Sequence, residues 1–240
     1  MKALILAAGF GSRLAPITDN LPKSLVPVNG TPILFKQIDN LLKNGISDIT
    51  VVSGYKADIL EQKVHSKYPE VKIIESVDYA TTNNMYSAYL GIQSVGLDGF
   101  LMMNADVFFD CSVIASLIAW KSENAIVTDI GRYNEESMKV IQKDGRIVAI
   151  SKQITKDDAL GCSIDVYKFG PSAAKAFFKK CKEYIEEKKE LKKWSEVALN
   201  DILNDVVFEA CPLVGRWFEI DNHEDLAAAE QLFSVDSDDL

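Results

Sequence analysis

The chain has 240 residues, 48% of them hydrophobic and 25% charged, with 26 basic and 35 acidic side chains giving a formal net charge of -9. That make-up suits one folded domain with a large core and argues against disordered, collagenous and membrane classes. It also argues against a broad nucleic-acid footprint, which needs clustered positive charge, yet a few local cations and one metal ion suffice for a nucleotide.

The first apolar run, Ala3-Leu4-Ile5-Leu6-Ala7-Ala8, is continuous and ends in glycines, as a strand buried on both faces does. It is too short to span a membrane, and Gly9, Gly11 and Arg13 interrupt it. It is therefore not read as a signal peptide, and a cytoplasmic location without membrane contact is expected. Further strands are expected at 49–52, 71–74, 100–103 and 125–128, with helices at 33–42, 57–66, 85–95 and 112–119. The alternation predicts an α/β fold, a Rossmann-like, mostly parallel sheet with helices on both faces. The pattern then changes. Segments 138–141 and 147–150 flank Asp144-Gly145 and read as a β-hairpin. A strand over 163–169 leads to Pro171, which suits a helix start. Helices are expected over 172–193 and 196–208, then a short strand at 216–220 and a last helix from about His223. A single domain, 1–233, is predicted, with a core sheet over about 1–130 and 213–233 and a small hairpin and helical addition over about 131–212. Residues 234–240 form an acidic tail expected to fray. Cys111, Cys162, Cys181 and Cys211 show no C-x-x-C spacing, so free thiols are expected rather than zinc or redox chemistry.

The chemistry concentrates after the first strand, in Leu6-Ala7-Ala8-Gly9-Phe10-Gly11-Ser12-Arg13. Ligands of open α/β sheets bind beyond the carboxyl ends of strands, and glycines there let backbone N–H groups approach phosphate oxygens. A dinucleotide fingerprint fails because Leu14 holds the third glycine position, and no P-loop string exists. What remains is G-x-G-x-R, with Lys23 ten residues beyond Arg13 in Leu21-Pro22-Lys23-Ser24-Leu25. Arg13 can grip phosphate oxygens as a fork, and Lys23 can place a point charge at a reacting phosphate. The plainer alternative is a tight turn beside a solvated lysine.

The stretch LILAAGFGSRLAPITDNLPKSLVPVNGTPIL resembles the N-terminal signature of the nucleotidyltransferases that make nucleotide sugars and related activated phosphates. The resemblance implies a nucleotide-diphospho-sugar transferase type of fold. It also implies catalytic roles for Arg13, Lys23 and Asp106, the last at the end of Met102-Met103-Asn104-Ala105-Asp106. In the family the matching aspartate binds Mg2+, and magnesium favours one or two carboxylates completed by water and phosphate oxygens. The late stretch Trp217-Phe218-Glu219-Ile220-Asp221-Asn222-His223-Glu224-Asp225-Leu226 resembles the family's W-x-E-I-D-T-x-E-D-L, which carries the second metal role to Asp221. Helix capping is the alternative for Asp221, and Glu219 is a weaker metal candidate. His65 and His223 read as surface or capping residues.

The segment Ala80-Thr81-Thr82-Asn83-Asn84-Met85-Tyr86-Ser87 resembles the N-N-x-Y-S segment of bacterial CTP-dependent enzymes related to phosphocholine cytidylyltransferase. Glu136-Ser137-Met138-Lys139-Val140, Ile150-Ser151-Lys152, Val166-Tyr167-Lys168-Phe169 and Leu199-Asn200-Asp201 fit the same group. The resemblance implies CTP, Mg2+ and pyrophosphate release, with nucleotide contacts from Leu6, Ala8, Gly9, Gly11, Ser12, Arg13, Asn83, Asn84, Ser87 and Asn104. Amides suit the donor and acceptor edge of cytosine, and helix capping alone is the alternative for one of them. The expected acceptor is a small phosphorylated molecule, phosphoglutamine ahead of phosphocholine, in capsule or surface-polysaccharide modification. Asp165 would meet its ammonium, Arg132 or Lys139 its carboxylate, and Lys152 or Lys168 its phosphate, the alternative for the last two being solvated strand residues. A choline-like group would favour an aromatic cage, to which Trp194 and Trp217 could contribute, although core packing is the favoured reading of Trp217. The group often has a glutamate where this chain has Cys162, and a small residue where it has Asp165. A sugar-1-phosphate uridylyl- or thymidylyltransferase and a non-catalytic nucleotide-sensing module remain as alternatives. A homodimer stays open.

Overall fold

The apolar run at the N-terminus forms β1, Lys2–Ala7, in the middle of the main sheet. Its side chains alternate between two cores. Ala3, Ile5 and Ala7 pack on one face, while Leu4 and Leu6 pack on the other. Period-two alternation with both faces apolar is what a strand between two helical layers requires. The computed structural model describes residues 1–234, so residues 235–240 of the expected acidic tail lie outside it.

In chain order, β1 is followed by the two-residue strands β2 (Pro27–Val28) and β3 (Thr31–Pro32), then α1 (Ile33–Lys43), β4 (Asp48–Ser53), α2 (Ala57–Lys67) and β5 (Lys72–Glu75). Next come α3 (Asn84–Val95), β6 (Phe100–Asn104), β7 (Val107–Phe109), α4 (Cys111–Ala119) and β8 (Ala125–Ile130). The hairpin β9 (Lys139–Lys143) and β10 (Arg146–Ser151) precedes β11 (Gly161–Phe169) and α5 (Pro171–Lys182). The chain ends in α6 (Ser195–Ile202), β12 (Glu209–Pro212), β13 (Trp217–Glu219) and α7 (His223–Leu232).

Strands β4, β5 and β6 run parallel along β1 and its neighbours. The long strand β11 runs the other way, between β6 and β8. Strand β8 and its parallel partner β12 then resume the direction of β1, and β9 with β10 join at the start of β11. The sheet is therefore mostly parallel. From β1 the chain winds outward through β4 and β5, then returns through α3 to β6 on the other side of β1. Such a reversal of strand order opens a crevice beyond the carboxyl ends of β1, β4 and β6.

Several boundaries differ from expectation. The helix expected over 172–193 stops at Lys182, widens into one π turn at Glu183–Glu187, and is closed by Lys189 at φ 58. A left-handed residue ends a helix whatever the propensity around it. The following segment meets the start of α3, where Leu191 O accepts from Asn83 N at 3.0 Å. The helix expected over 196–208 ends at Ile202, and residues 209–212 become β12, an edge strand beside β8 that ends in Pro212. β7 went unread because it is three residues long. It pairs antiparallel with β13, Glu219 opposite Val107, and Ile220 N donates to Asp106 O at 2.9 Å. That small ribbon carries two distant acids to one place.

Candidate active site

Where β1 ends, Ala8 O accepts from Tyr55 N at 3.2 Å, and the chain turns at Gly11, φ 65. Thr18 Oγ1 donates to Gly11 O at 2.9 Å and holds that turn. A Cβ on Gly11 would lie 2.6 Å from Lys23 Cβ, so glycine is required for Lys23 to dock. A Cβ on Gly9 would meet no described atom within 4 Å. The fold does not demand glycine there; the open space beside it does.

Lys23 begins a short turn, Lys23–Leu25, and projects into the crevice. Its Nζ donates to Asp106 Oδ2 at 2.9 Å and Asp221 Oδ1 at 2.6 Å. Arg13 Nη2 lies 3.0 Å from Asp221 Oδ2. Asp106 Oδ1 is buried and has no hydrogen-bond partner among the described residues. Oxygens of Asp106, Glu219 and Asp221 all lie within 4.8 Å of one another. An orphaned carboxylate oxygen among three hard oxygen donors fits a divalent cation such as magnesium. Burial works to lower the Lys23 pKa, but the charges of Asp106 and Asp221 win and hold it well above 10.5. Burial opposes ionisation of Asp221, yet Lys23 and then Arg13 keep its carboxyl below the usual range. Burial first, then Asp106 and Asp221, pushes Glu219 up to about 7. Asp221 does not cap α7: Asn222 does, in a reciprocal box with Asp225. His223 binds Ala15 O at 2.7 Å, and His65 binds Val71 O at 3.0 Å.

These residues open onto a cavity of about 430 Å3, the size of a small-molecule site. Leu6, Ala8, Gly9, Gly11, Ser12 and Arg13 line it, as do Asn83, Asn84, Ser87 and Asn104. The two amides are partly engaged by the protein. Asn83 Oδ1 accepts from Asn84 N at 2.8 Å and caps α3, while Asn84 Oδ1 accepts from Ser195 N at 2.8 Å. Phe10 and Tyr79 also line the cavity, their rings 5.0 Å apart.

Glu136, Met138, Lys152, Asp165, Trp194 and Glu196 also line the cavity, Glu196 Oε2 lying 3.5 Å from Asn84 Nδ2. Asp165 sits at φ 57 where the pairing of β11 slips between Ser163 and Tyr167. That bulge turns its side chain into the crevice, where Oδ2 accepts from Asn104 Nδ2 at 3.0 Å. Tyr167 Oη lies 2.8 Å from Asp165 Oδ1 and 3.1 Å from Glu196 Oε1. A phenol has one proton to give, so the double contact is satisfied when one acid is protonated and donates back. Burial, then Glu196, Glu219 and Asp106, raises the Asp165 pKa, and burial raises that of Glu196. Lys152 Nζ lies 5.1 Å from the Trp194 ring.

Three expected acceptor contacts are elsewhere. Lys139 is fully buried, its Nζ bound by backbone carbonyls. Lys168 Nζ donates to Trp120 O at 2.9 Å, away from the cavity. Arg132 lies 5.2 Å over the Trp217 ring and 3.8 Å from Asp129. That leaves neither Arg132 nor Trp217 on the cavity wall. Glu196 was missed because an acid in the first turn of a helix reads as a partner of the helix dipole. Only its burial marks it out.

A family model described as nucleotidyl transferase matches residues 2–234. The choline-phosphate cytidylyltransferase of Streptococcus pneumoniae is 46% identical over 90 residues, 38% of each chain. The CTP:phosphoglutamine cytidylyltransferase of Campylobacter jejuni is 33% identical over 134 residues, 54% of this chain and 53% of that one. The alignments thus span about half or less of these relatives' own length. A solved structure of CTP:phosphocholine cytidylyltransferase from Streptococcus pneumoniae superposes with TM-score 0.79 at 25% identity, covering 96% of this chain and 97% of that one. Among the described residues, no helix is long and apolar enough to cross a membrane.

Proposed function

The chain belongs to the nucleotidyl transferase family, and from that premise we propose that it transfers CMP from CTP to a small phosphate- or phosphonate-bearing acceptor that also carries a cationic nitrogen. The observation that carries the reading is the meeting of Lys23, Asp106 and Asp221 opposite the open glycine turn. An acceptor oxygen forms the new bond to the α-phosphorus, the bond from that phosphorus to the α,β-bridging oxygen breaks, and pyrophosphate leaves with the electron pair. The acceptor oxyanion is already a nucleophile, so no side chain needs to remove its proton. When bound, Mg2+ held by Asp106 and Asp221 would neutralise charge on the triphosphate. Backbone N–H groups beside Gly9 and Gly11 cradle phosphate oxygens, and Arg13 grips the departing end. Lys23 offsets the charge that builds at the reacting centre, and the rest of catalysis is positioning.

CTP is favoured by the likeness to cytidylyltransferases, and Asn83, Asn84 and Ser87, which line the cavity, would read the base. The acceptor end favours a cation. Glu196 is a buried carboxyl and Asp165 a half-buried one, and Trp194 offers an aromatic face. Phosphocholine and phosphoglutamine both bring a cationic nitrogen. Phosphoglutamine also brings a carboxylate, and on the described acceptor wall only Lys152 has the charge to meet it. The test is pyrophosphate release with CTP, UTP or dTTP against phosphocholine, phosphoethanolamine, 2-aminoethylphosphonate, phosphoglutamine and glucose 1-phosphate. Turnover is expected with CTP and amine-bearing acceptors. Faster turnover of glucose 1-phosphate with UTP or dTTP would replace this reading by a sugar-nucleotide one.

A further inference from the structure

Lys139 stands at the start of β9 and is fully buried, yet no carboxylate pairs with it among the described residues. Buried cations are ordinarily paired with an acid. Here the Nζ donates to Asn134 O at 3.2 Å, to Glu135 O at 2.9 Å and to Lys152 O. The ring of Tyr133 lies 5.2 Å away on the same side. Three directed bonds use every proton an ammonium has. The carbonyls come from separate stretches of chain, the turn that leads into β9 and the residue that follows β10. Each stretch supplies the cavity wall: Glu136 and Met138 from the first, Lys152 from the second. Ser137, between them, reaches Glu219 Oε2 at 3.5 Å. The glycine turn and the start of α3 are not part of this clasp.

Resting on the acceptor reading above, we propose that Lys139 is a positioning residue for the acceptor end of the site. It ties residues 134–135 to residue 152 and thereby fixes where Glu136, Met138 and Lys152 stand, while touching neither substrate. Only a lysine fits the task. The carbonyls demand several donors on one atom at the end of a long apolar stem, and charge makes each bond stronger than a neutral one. Glutamine supplies at most two donors and methionine none, although both fill nearly the same space.

The experiment compares the wild type with Lys139→Gln and Lys139→Met. KM is measured separately for CTP and for the best amine-bearing acceptor, and amide hydrogen exchange is followed at 133–138 and 152–154 without substrates. The acceptor KM is expected to rise from wild type to Gln to Met, reaching about tenfold for Met, while the CTP KM stays put. Exchange speeds up in both segments and not in β1. An equal rise in both KM values would mean a general loss of structure, and no rise with unchanged exchange would mean no clasp; either overturns the proposal. If the Met variant does not fold, the Gln variant carries the same comparison. Failure of the acceptor reading shows separately, as a wild type inactive with amine-bearing acceptors. The exchange measurement needs no acceptor and still decides the clasp.

Discussion

Replacing Lys23 with methionine removes one charge and keeps most of the stem. In the structure that charge sits 2.9 Å from Asp106 and 2.6 Å from Asp221, on a side chain only 13% exposed. Without it, Asp106, Glu219 and Asp221 crowd together, and Arg13, 64% exposed, is left to offset them. Removing one partner of a fully buried ion pair costs about 3–5 kcal/mol. Both aspartates are about a quarter exposed, so water recovers part of this and about 2–3 kcal/mol is expected. For a chain of this length each kcal/mol moves Tm by about 2–4 °C, which predicts a fall of about 4–12 °C in metal-free buffer. The pH dependence has a definite sign. A lysine whose folded pKa is raised contributes stability that is complete below its unfolded value and is lost only as pH climbs through the folded one. Asp221, whose pKa is lowered, contributes stability present above its unfolded value and lost as pH falls through the folded one. The deficit of the variant should therefore persist up to about pH 9, grow as pH rises through about 7 because Glu219 ionises there without Lys23 to offset it, and shrink in strong acid. Turnover with saturating CTP should fall by about 100- to 1,000-fold, the usual cost of removing one preorganised charge stabiliser. Thermal melts and pyrophosphate release measure both effects. A variant with wild-type kcat and only a raised KM would refute the charge-stabilising role.

The two glycines of the turn should separate fold from function. Gly11→Ala forces a left-handed alanine against Lys23 Cβ and should cost about 1–2 kcal/mol or more along with activity. Gly9→Ala should leave Tm unchanged and raise the CTP KM, because its methyl meets only the space a phosphate needs. Glu196→Gln should trade affinity for stability. Burial raises this carboxyl above its ordinary 4.5, so the folded chain holds a proton the unfolded chain has lost, and stability falls as pH rises through that window. The amide removes the loss. Its Tm should exceed that of the wild type near pH 8, with the gap closing toward pH 4. The KM for an amine-bearing acceptor should rise in the same variant.

Much of this was legible in the chain because local patterns and tertiary demands agree. β1 reads as apolar throughout because it lies between two helical layers, and the glycine turn reads as a ligand loop because it follows that strand. Asp106 and Asp221 were legible as separate acids at strand ends. Their meeting was not, since it depends on the three-residue ribbon of β7 and β13, too short for any periodicity. The break after Lys182 follows from a backbone bond between Leu191 and Asn83, which leaves no mark on a Lys- and Glu-rich helical pattern. Lys139 and Lys168 were read as cations for the acceptor's carboxylate and phosphate because charge is all that a sequence shows of a lysine. Burial turned both toward backbone carbonyls instead.

The account stands on Asp106 and Asp221 holding one divalent cation between them. Mn2+ binding followed by electron paramagnetic resonance, in the presence of CTP and without acceptor, tests this directly in the wild type, Asp106→Asn and Asp221→Asn. One tight site per chain is predicted for the wild type, weakened about tenfold or more in each variant while thermal melts show a folded protein. Wild-type Mn2+ affinity in either variant would contradict it.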